Sequence, residues 1–355
     1  MQSMKDFTIL FTDIYSRKTF DLFNVVRIRF PEAECLVTSN GGGWDKTKAS
    51  LIYRGATNET LSTQNYSEFK ESLSQIANKR SDQKIIFLPI EERTILLFFE
   101  YLKNHDPDNF LFSLPNESTF KLVRDKFDLM QFCLENNFPH PNTYKNLEEL
   151  NKLGSKHPLI SKPSVGEGAK GILRFTKEEA MIDYFKERVV QDEIEQSQGV
   201  IGVFLNCTQG EIRGHYCHQR QRTFPLKGGV TVLSEIVDSD RCLEISKNIV
   251  SKLQWDGLIM LEFLFDKNRQ DYLLLEINPR LWGSLLLGES ELNGLVSNYI
   301  CAQIEQEFEP KPPALGSKIR WVWPYDVLYL FTGKISFKEF IARDKTLFVN
   351  WTYAS

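Results

Sequence analysis

The sequence predicts a protein of mixed α/β and α+β class, with a small parallel-sheet domain first and an aromatic-rich tail last. Three observations predict this arrangement. Short apolar runs alternate with helical patterns over residues 1–115, which is typical of a parallel sheet covered by helices. A glycine-rich stretch joins two strand-like runs near residue 166, and a short polar turn joins two further apolar strands that carry Glu262 and Glu276. Such turns are typical of antiparallel hairpins.

Length and charge limit the class of protein. The chain has 355 residues, of which 42% are hydrophobic and 25% charged, so it is expected to fold into two or three domains or lobes. Its net charge is -4 and it has no long basic run, which argues against nucleic acid as a main partner. No apolar run is long enough to span a bilayer, so we expect no membrane association through a spanning helix.

The six cysteines indicate a reducing compartment. They are scattered, with no C-x-x-C pair, and the start of the chain, MQSMKDFTILF, lacks the basic region and long apolar core of a signal peptide. We therefore expect free thiols and a cytoplasmic protein.

The first segment is predicted to be the parallel-sheet domain. Apolar runs at 7–14, 34–40 and 84–90 are strand candidates, and helical patterns cover 66–79 and 92–104. The run of glycines at 41–43 lacks the spacing of a dinucleotide or P-loop motif, so it is interpreted as a turn.

A helix and a glycine-rich loop follow. Apolar spacing predicts a helix that contains Lys126 and ends near Asn136, where prolines block its continuation. On its own, Lys126 would be interpreted as a surface lysine. Next, a strand over 158–162 ends at Lys162, the loop SVGEGAKG follows, and a second strand covers 172–175.

That loop is predicted to cover a phosphate. Glycines at 166, 168 and 171 allow a close approach of the backbone, and Lys162 and Lys170 supply positive charge. A strand rather than a helix follows, which excludes a Walker A loop and a dinucleotide fingerprint. The alternative is a plain hairpin loop. Beyond it, a helix is predicted over 177–187 and a polar link over 191–198.

The two glutamate-bearing strands form the centre of the predicted site. With Asp266 opposite Tyr272, Glu262 falls opposite Glu276 on the same face, and this pairing needs a five-residue loop or a bulge. Carboxylates directly opposite each other repel unless a cation lies between them, and oxygen ligands suit Mg²⁺. The alternative is two solvated glutamates on an exposed sheet face.

Residues that follow Glu276 extend this face. Side chains two apart on a strand share a face, so Glu276, Asn278 and Arg280 are expected to project together. Upstream, Arg220 and Arg222 are also two apart and suit an anionic substrate or phosphate, or else are surface charge. The nearby His215, Cys217 and His218 resemble zinc ligands, but they lack a partner pair at the required spacing.

Taken in order, these segments resemble the ATP-grasp superfamily, in particular the branch of biotin carboxylase and the large subunit of carbamoyl-phosphate synthetase. The resemblance covers roughly residues 116–306. It implies an N-terminal domain over 1–115, a central lobe with the flap over 116–190, a C-terminal lobe with the metal site over 191–310, and a tail over 311–355 that packs on the body.

The resemblance also implies roles for individual residues. ATP would lie between the two lobes, with its phosphates at Lys126 and Lys162 under a flap that contains the three glycines and Lys170. The remaining positions implied for the nucleotide are Gln191 and Ile194 at the adenine and Gln198 at the ribose, where many members have a glutamate.

For the chemistry, the resemblance implies that Glu262, Glu276 and Asn278 bind Mg²⁺ or Mn²⁺. Arg280 would stabilise the reacting phosphate, and Arg222 would assist it or bind the substrate carboxylate. The implied enzyme is a carboxylate-amine ligase for small molecules or peptides that forms an acyl phosphate and releases ADP. The alternatives are phosphorylation of bicarbonate and a non-catalytic nucleotide-binding regulator. Apolar surface on the first sheet or the tail would support a homodimer.

Overall fold

We describe a computed structural model of residues 6–41, 43–166, 171–195, 198–224, 229–289, 294–312, 314–342 and 346–349. Its strands form three sheets. The strands are β1 (Phe7–Phe11), β2 (Glu34–Ser39), β3 (Thr57–Thr60), β4 (Lys84–Leu88), β5 (Phe110–Leu111), β6 (Thr143–Tyr144), β7 (Leu159–Pro163), β8 (Leu173–Phe175), β9 (Arg188–Asp192), β10 (Ile201–Thr208), β11 (Glu211–Phe224), β12 (Val230–Ile236), β13 (Gly257–Asp266), β14 (Asp271–Asn278), β15 (Lys318–Trp321) and β16 (Thr346–Val349). The helices are α1 (Arg17–Arg29), α2 (Gly43–Ile52), α3 (Tyr66–Lys79), α4 (Glu92–Leu102), α5 (Glu117–Arg124), α6 (Lys126–Glu135), α7 (Leu147–Leu153), α8 (Asp240–Leu253), α9 (Leu285–Glu289), α10 (Leu295–Ala302), α11 (Val327–Phe331) and α12 (Phe337–Ile341).

The first sheet is parallel, as predicted, with strand order β3-β2-β1-β4-β5. Alternate side chains of β1 face two separate cores: Ile9 packs with Leu22 of α1, and Leu10 packs with Phe69 of α3. Because helices cover both faces, the strands are apolar throughout. The predicted strand at 7–14 is longer than β1, which ends at Phe11.

The second sheet is small and antiparallel, in the order β6-β9-β7-β8. It contains the two strands predicted on either side of the glycine-rich loop. The helix predicted over 177–187 is wrong, because this segment forms two short 3-10 turns, Lys177–Glu179 and Ile182–Phe185. The ring of Tyr184 packs against that of Phe175, with centroids 4.6 Å apart. A short segment has too little helical stability of its own to resist such tertiary contacts.

The third sheet has seven strands in the order β14-β13-β10-β11-β12-β15-β16. Its strands pair antiparallel except β15 and β16, which are parallel. The segment predicted as a tail thus adds two strands to this sheet. The two faces differ: Val203 packs in a core with α5, α6 and α8, whereas Phe204 packs in a core with α1, α9 and α10.

Two expectations from composition can be compared with this structure. All six cysteines are buried and free. Among the described helices, none is both long enough and apolar enough to cross a bilayer.

Candidate active site

A cavity of about 1100 Å³ lies between the four-stranded sheet and the Phe204 face of the seven-stranded sheet. Its walls come from β7 and β8, from the link after β9, and from the strands that carry Arg220, Glu262 and Glu276. This volume lies just above the range of about 300–1,000 Å³ that is usual for sites enclosing one small organic molecule.

Glu262 and Glu276 face each other at the floor of this cavity. Asp266 lies opposite Asp271 rather than Tyr272, and the register shifts between Glu262 and Phe263, so that Leu275 is the extra residue of a bulge in β14. This bulge is the alternative that the sequence left open. It restores Glu262 to the position opposite Glu276 and keeps both carboxylates on the cavity side.

The electrostatic environment shifts the pKa values of the two carboxyl groups in opposite directions. Burial raises the pKa of Glu262, and the adjacent Arg220, which donates a hydrogen bond to its Oε1, only partly opposes this effect. Burial would also raise the pKa of Glu276, but Lys126 and Lys162 outweigh it and hold that pKa below its ordinary value. Glu276 therefore carries a negative charge at neutral pH.

Two lysines approach Glu276 from the small sheet and from α6. Lys126 is the first residue of α6, after the N-cap Asp125, and its Nζ lies 2.9 Å from Gly166 O and 3.6 Å from Glu276 Oε2. Lys162 Nζ donates to Leu275 O across 3.3 Å. Burial lowers the pKa of Lys162 to about 8, although Glu276 opposes the shift. The sequence alone gave Lys126 a surface position, whereas it is buried here.

Asn278 and Arg280 continue the same face, as predicted. Asn278 Nδ2 lies 3.4 Å from Glu276 Oε1, and Arg280 Nη2 donates to Asn278 Oδ1 across 3.2 Å. Arg280 is also anchored outside this face, because its Nε lies 3.4 Å from Glu92 Oε1 of α4. Glu276, Asn278 and Arg280 all line the cavity.

This donor set fits a hard divalent cation. Two opposed carboxylates and an amide oxygen are the ligands that Mg²⁺ prefers, and four cationic side chains beside them would bind the phosphates that accompany such an ion. In the described part of the chain, no group of three or more His, Cys, Asp and Glu side chains is arranged to hold a metal. The zinc interpretation of His215, Cys217 and His218 thus has no such ligand set there.

The link after β9 forms another wall. Gln191 is buried and donates to Thr143 Oγ1 across 3.0 Å, and Ile194 lines the cavity. Asp192 fixes the start of the link, since it accepts hydrogen bonds from Asn142, Tyr144 and Ser155.

The residue predicted at the ribose lies outside the cavity lining. Gln198 is exposed and does not line the cavity, whereas Glu195, three residues earlier in the same link, does. The sequence interpretation missed Glu195 because spacing alone does not fix where a polar link turns towards a ligand.

Part of the predicted flap can be located. Gly166 lines the cavity with a φ of +155°, and Gly171, with a φ of +72°, accepts a hydrogen bond from Arg188 through its carbonyl oxygen. A left-handed φ at Gly171 would strain any residue with a side chain. Gly168 and Lys170 lie outside the described residues.

Arg220, not Arg222, reaches the cavity. The strand pairing is irregular on both sides of Arg222, and its guanidinium pairs with the buried Asp326 instead of lining the cavity. The sequence identified the pair but selected the wrong member for the site, since a bulge cannot be recognised from spacing two apart.

His218 is a second cavity residue that the sequence interpretation did not assign. It is 2% exposed, and neither ring nitrogen has a hydrogen-bond partner within the described structure. Burial, with Arg220 nearby, lowers its pKa to about 3, so the ring is neutral at pH 7. His218 pairs with Gly202, which pairs with Glu262, so these three positions form one row across the sheet.

Part of the chain matches a known protein family. Residues 123–284 match the family described as "ATP-grasp domain". No curated protein matches the sequence.

Three solved structures illustrate the similarity of fold. The biotin carboxylase domain dimer of the Hydrogenobacter thermophilus 2-oxoglutarate carboxylase, in complex with MgADP, ADP and bicarbonate, is 11% identical with a TM-score of 0.65, over 88% of this chain and 73% of that one. Biotin carboxylase of Campylobacter jejuni is 13% identical with a TM-score of 0.65, over 88% and 74%. N5-carboxyaminoimidazole ribonucleotide synthetase of Thermotoga maritima is 13% identical with a TM-score of 0.58, over 88% and 78%. At these identities the likeness shows the fold.

Proposed function

We propose that this chain, whose residues 123–284 match the ATP-grasp domain family, is an ATP-dependent ligase that joins a small carboxylate to an amine through an acyl phosphate, with release of ADP and phosphate. The observation that carries this proposal is the opposed pair Glu262 and Glu276, surrounded by Lys126, Lys162, Arg220 and Arg280 in one cavity. Opposed carboxylates among four cations suit a metal-bound polyphosphate.

The residues divide into three groups in the proposed complex. Glu262, Glu276 and Asn278 would hold Mg²⁺ or Mn²⁺, which supplies charge neutralisation between the phosphates of ATP. Lys126 and Lys162 would bind those phosphates beneath the loop that contains Gly166. Gln191, Ile194 and Glu195 would contact the nucleoside, with Glu195 in the position predicted for Gln198.

Phosphoryl transfer needs positioning and charge more than it needs a base. An oxygen of the carboxylate substrate attacks the γ-phosphorus, the bond to the ADP oxygen breaks, and an acyl phosphate forms. The nitrogen of the amine then attacks the acyl carbon, phosphate leaves with the electron pair of the broken C–O bond, and the amine loses a proton. In this proposal, Arg280 and Arg220 stabilise the negative charge on the transferred group.

A second candidate is phosphorylation of bicarbonate. The observation in its favour is that one similar structure is described as containing a bicarbonate anion together with MgADP. A third candidate, a nucleotide-binding regulator without catalysis, would bind ATP but release no ADP with any substrate. The substrate dependence of ADP release therefore distinguishes all three.

The first prediction concerns Glu276. Changing Glu276 to Gln removes one metal-binding charge while keeping the shape of the side chain, so ADP release should fall by at least roughly 10²-fold with the fold intact. The measurement is ADP release from Mg-ATP with pooled amino acids, small carboxylates and bicarbonate, together with circular dichroism of each variant.

Lys162→Ala is a second loss-of-function control, and Glu244→Gln, an exposed carboxylate on α8 paired with Arg241, is the matched neutral control. Near-normal turnover by a folded Glu276→Gln protein would overturn the metal assignment. ADP release with bicarbonate alone would favour the second candidate.

A further inference from the structure

Arg17 connects the N-terminal domain to the cavity. Of the described residues within 6–115, it is the one that lines the cavity, and every other lining residue comes from position 126 or later. Among its described residues, the parallel-sheet domain therefore contributes a single cationic side chain to the cavity lining.

Helix packing places Arg17 beside the segment that follows Arg280. Helix α1 packs on α9, and at the far ends of the two helices Arg29 Nη2 lies 3.4 Å from Glu289 O. Helix α1 has 13 residues and α9 has five, and Arg17 at the start of α1 lines the same cavity as Gly283 and Ser284, which precede α9. These two residues line the cavity with Arg17, four residues or fewer after Arg280.

The guanidinium of Arg17 is held in a fixed orientation. Its Cζ lies 4.9 Å from the ring centroid of Trp321, and its Nε lies 3.3 Å from Asp21 Oδ2, one helical turn along α1. Burial lowers the pKa of Arg17 to about 10, which leaves it protonated at neutral pH. A planar guanidinium on an aromatic ring, with its donors fixed in one plane, is suited to a carboxylate or a phosphate.

We propose that Arg17, on its Trp321 platform, binds an anionic group of the amine substrate, either a carboxylate or a phosphate monoester. The inference rests on the proposed ligase function and deepens it, since it names the class of acceptor: a small amine that carries a negative charge. Lys126 contacts Gly166 O and Lys162 contacts Leu275 O, where the phosphates of ATP are assigned, whereas Arg17 joins the cavity lining from the N-terminal domain and is held by Asp21 and Trp321. A charge there positions the amine for attack on the activated carboxylate.

The test uses the full chain with Mg²⁺ and a non-hydrolysable ATP analogue. The probes are pooled amino acids, the same amino acids as carboxamides, and O-phosphoethanolamine against ethanolamine. Thermal shift titrations give an apparent Kd for each probe, and steady-state ADP release gives KM where turnover occurs. We expect one anionic probe set to bind and its neutral counterpart to bind roughly 10- to 100-fold more weakly, the usual effect of one charge-assisted hydrogen bond.

Variants separate binding from structure. In Arg17→Gln/Asp21→Asn the buried carboxyl group is neutral, so the loss of Arg17 leaves no unpaired charge, and we expect the same 10- to 100-fold loss for the anionic probe with the affinity for the ATP analogue unchanged. Arg29→Gln, at the other end of α1 and outside the cavity lining, is the matched control and should bind the anionic probe like the wild type.

The outcomes are distinct from those of the ligase test. Equal affinity for anionic and neutral probes, no binding of any anionic probe by the wild type, or unchanged affinity in the double variant would each overturn the Arg17 proposal. Charge-selective binding that depends on Arg17 but without ADP release would support it while the ligase proposal fails.

Discussion

At the scale of single residues, Lys162 has a pKa in the folded protein that differs from its pKa in the unfolded chain. Its amine is enclosed beside Leu275 O and Glu276, and burial lowers its pKa from 10.5 to about 8. The charged form is thus disfavoured in the folded protein without nucleotide, although the unfolded chain keeps it up to pH 10.5. A bound triphosphate would favour the charged form and raise the pKa again.

This difference predicts a pH dependence of stability. Between pH 8 and 10.5 the unfolded chain holds the Lys162 proton and the folded protein does not, so the free energy of unfolding gains up to about 1 kcal/mol per pH unit from this residue as pH rises. Lys162→Met should lack that contribution. The measurement is urea denaturation without nucleotide at pH 7.5, 8.5 and 9.5.

The informative quantity is the difference between wild type and Lys162→Met at each pH, because other titrating groups contribute equally to both. Parallel curves for the two proteins would show that Lys162 titrates normally. Lys186→Met, which changes an exposed lysine with a raised pKa, serves as the control: it keeps Lys162, so its difference from the wild type should show no such rise with pH.

At the scale of elements, the segment after β15 is attached to the large sheet by a buried charge cluster. Asp326 is fully buried and pairs with Arg222 of β11 and with Arg320 of β15. Arg320 also donates to Phe340 O of α12 across 2.7 Å, and Tyr329 of α11 donates to Thr223 O across 2.5 Å. These contacts fix the end of β11 close to Val230 and Thr231, which line the cavity.

Removal of the central charge should therefore be costly. Asp326→Asn leaves two arginines without their carboxylate in a buried setting, and we expect a loss of about 3–5 kcal/mol in the free energy of unfolding. The exposed pair Asp183 and Lys186 gives the contrast, because Asp183→Asn should change stability by less than about 0.5 kcal/mol. The measurement is the free energy of unfolding of both variants from denaturation curves. A loss below about 1 kcal/mol for Asp326→Asn would contradict a structural role of the cluster.

The sequence predicts elements well where one pattern dominates. The helix at 66–79 matches α3, because its apolar residues recur at helical spacing, and Asn65 caps it by accepting from Glu68 N. The row of Glu276, Asn278 and Arg280 follows from strand alternation alone. By contrast, whether Arg220 or Arg222 lines the cavity depends on a local register shift, and Glu195 lies in a polar link that has no periodic pattern. Neither is encoded in a short window.

For the end of the chain as well, the sequence predicts packing but not the strand pairing. Aromatic content predicted that residues 311–355 pack on the body, and Trp321 and Tyr329 are buried as expected. Trp323 of the same segment is 55% exposed, and Trp351 lies outside the described residues. That β15 and β16 extend the sheet depends on which edge is open after β12, a property of the whole fold.

At the scale of the whole molecule, one carboxylate joins three parts of the chain. Glu92 at the start of α4 lies 2.6 Å from Arg124 Nε at the end of α5 and 3.4 Å from Arg280 Nε in the seven-stranded-sheet region. We therefore expect Glu92, which does not line the cavity, to act as a positioning residue that orients Arg280 from the N-terminal domain. If Arg280 stabilises the transferred phosphoryl group, the orientation set by Glu92 matters mainly in the transition state.

Glu92→Gln tests this coupling between domains. The variant keeps one acceptor oxygen but loses the charge that holds both guanidiniums. We expect kcat to fall roughly 10-fold while the KM for ATP stays near its wild-type value, because displacement of a catalytic group affects the chemical step more than nucleotide binding. Glu100→Gln, on the same helix and in an exposed pair with Lys103, should leave both constants unchanged. An equal change in KM and kcat, or a destabilised protein with normal kcat, would assign Glu92 a structural role instead. A selective loss of kcat would show that the N-terminal domain acts on the chemistry through Arg280 as well as, in our proposal, on the acceptor through Arg17.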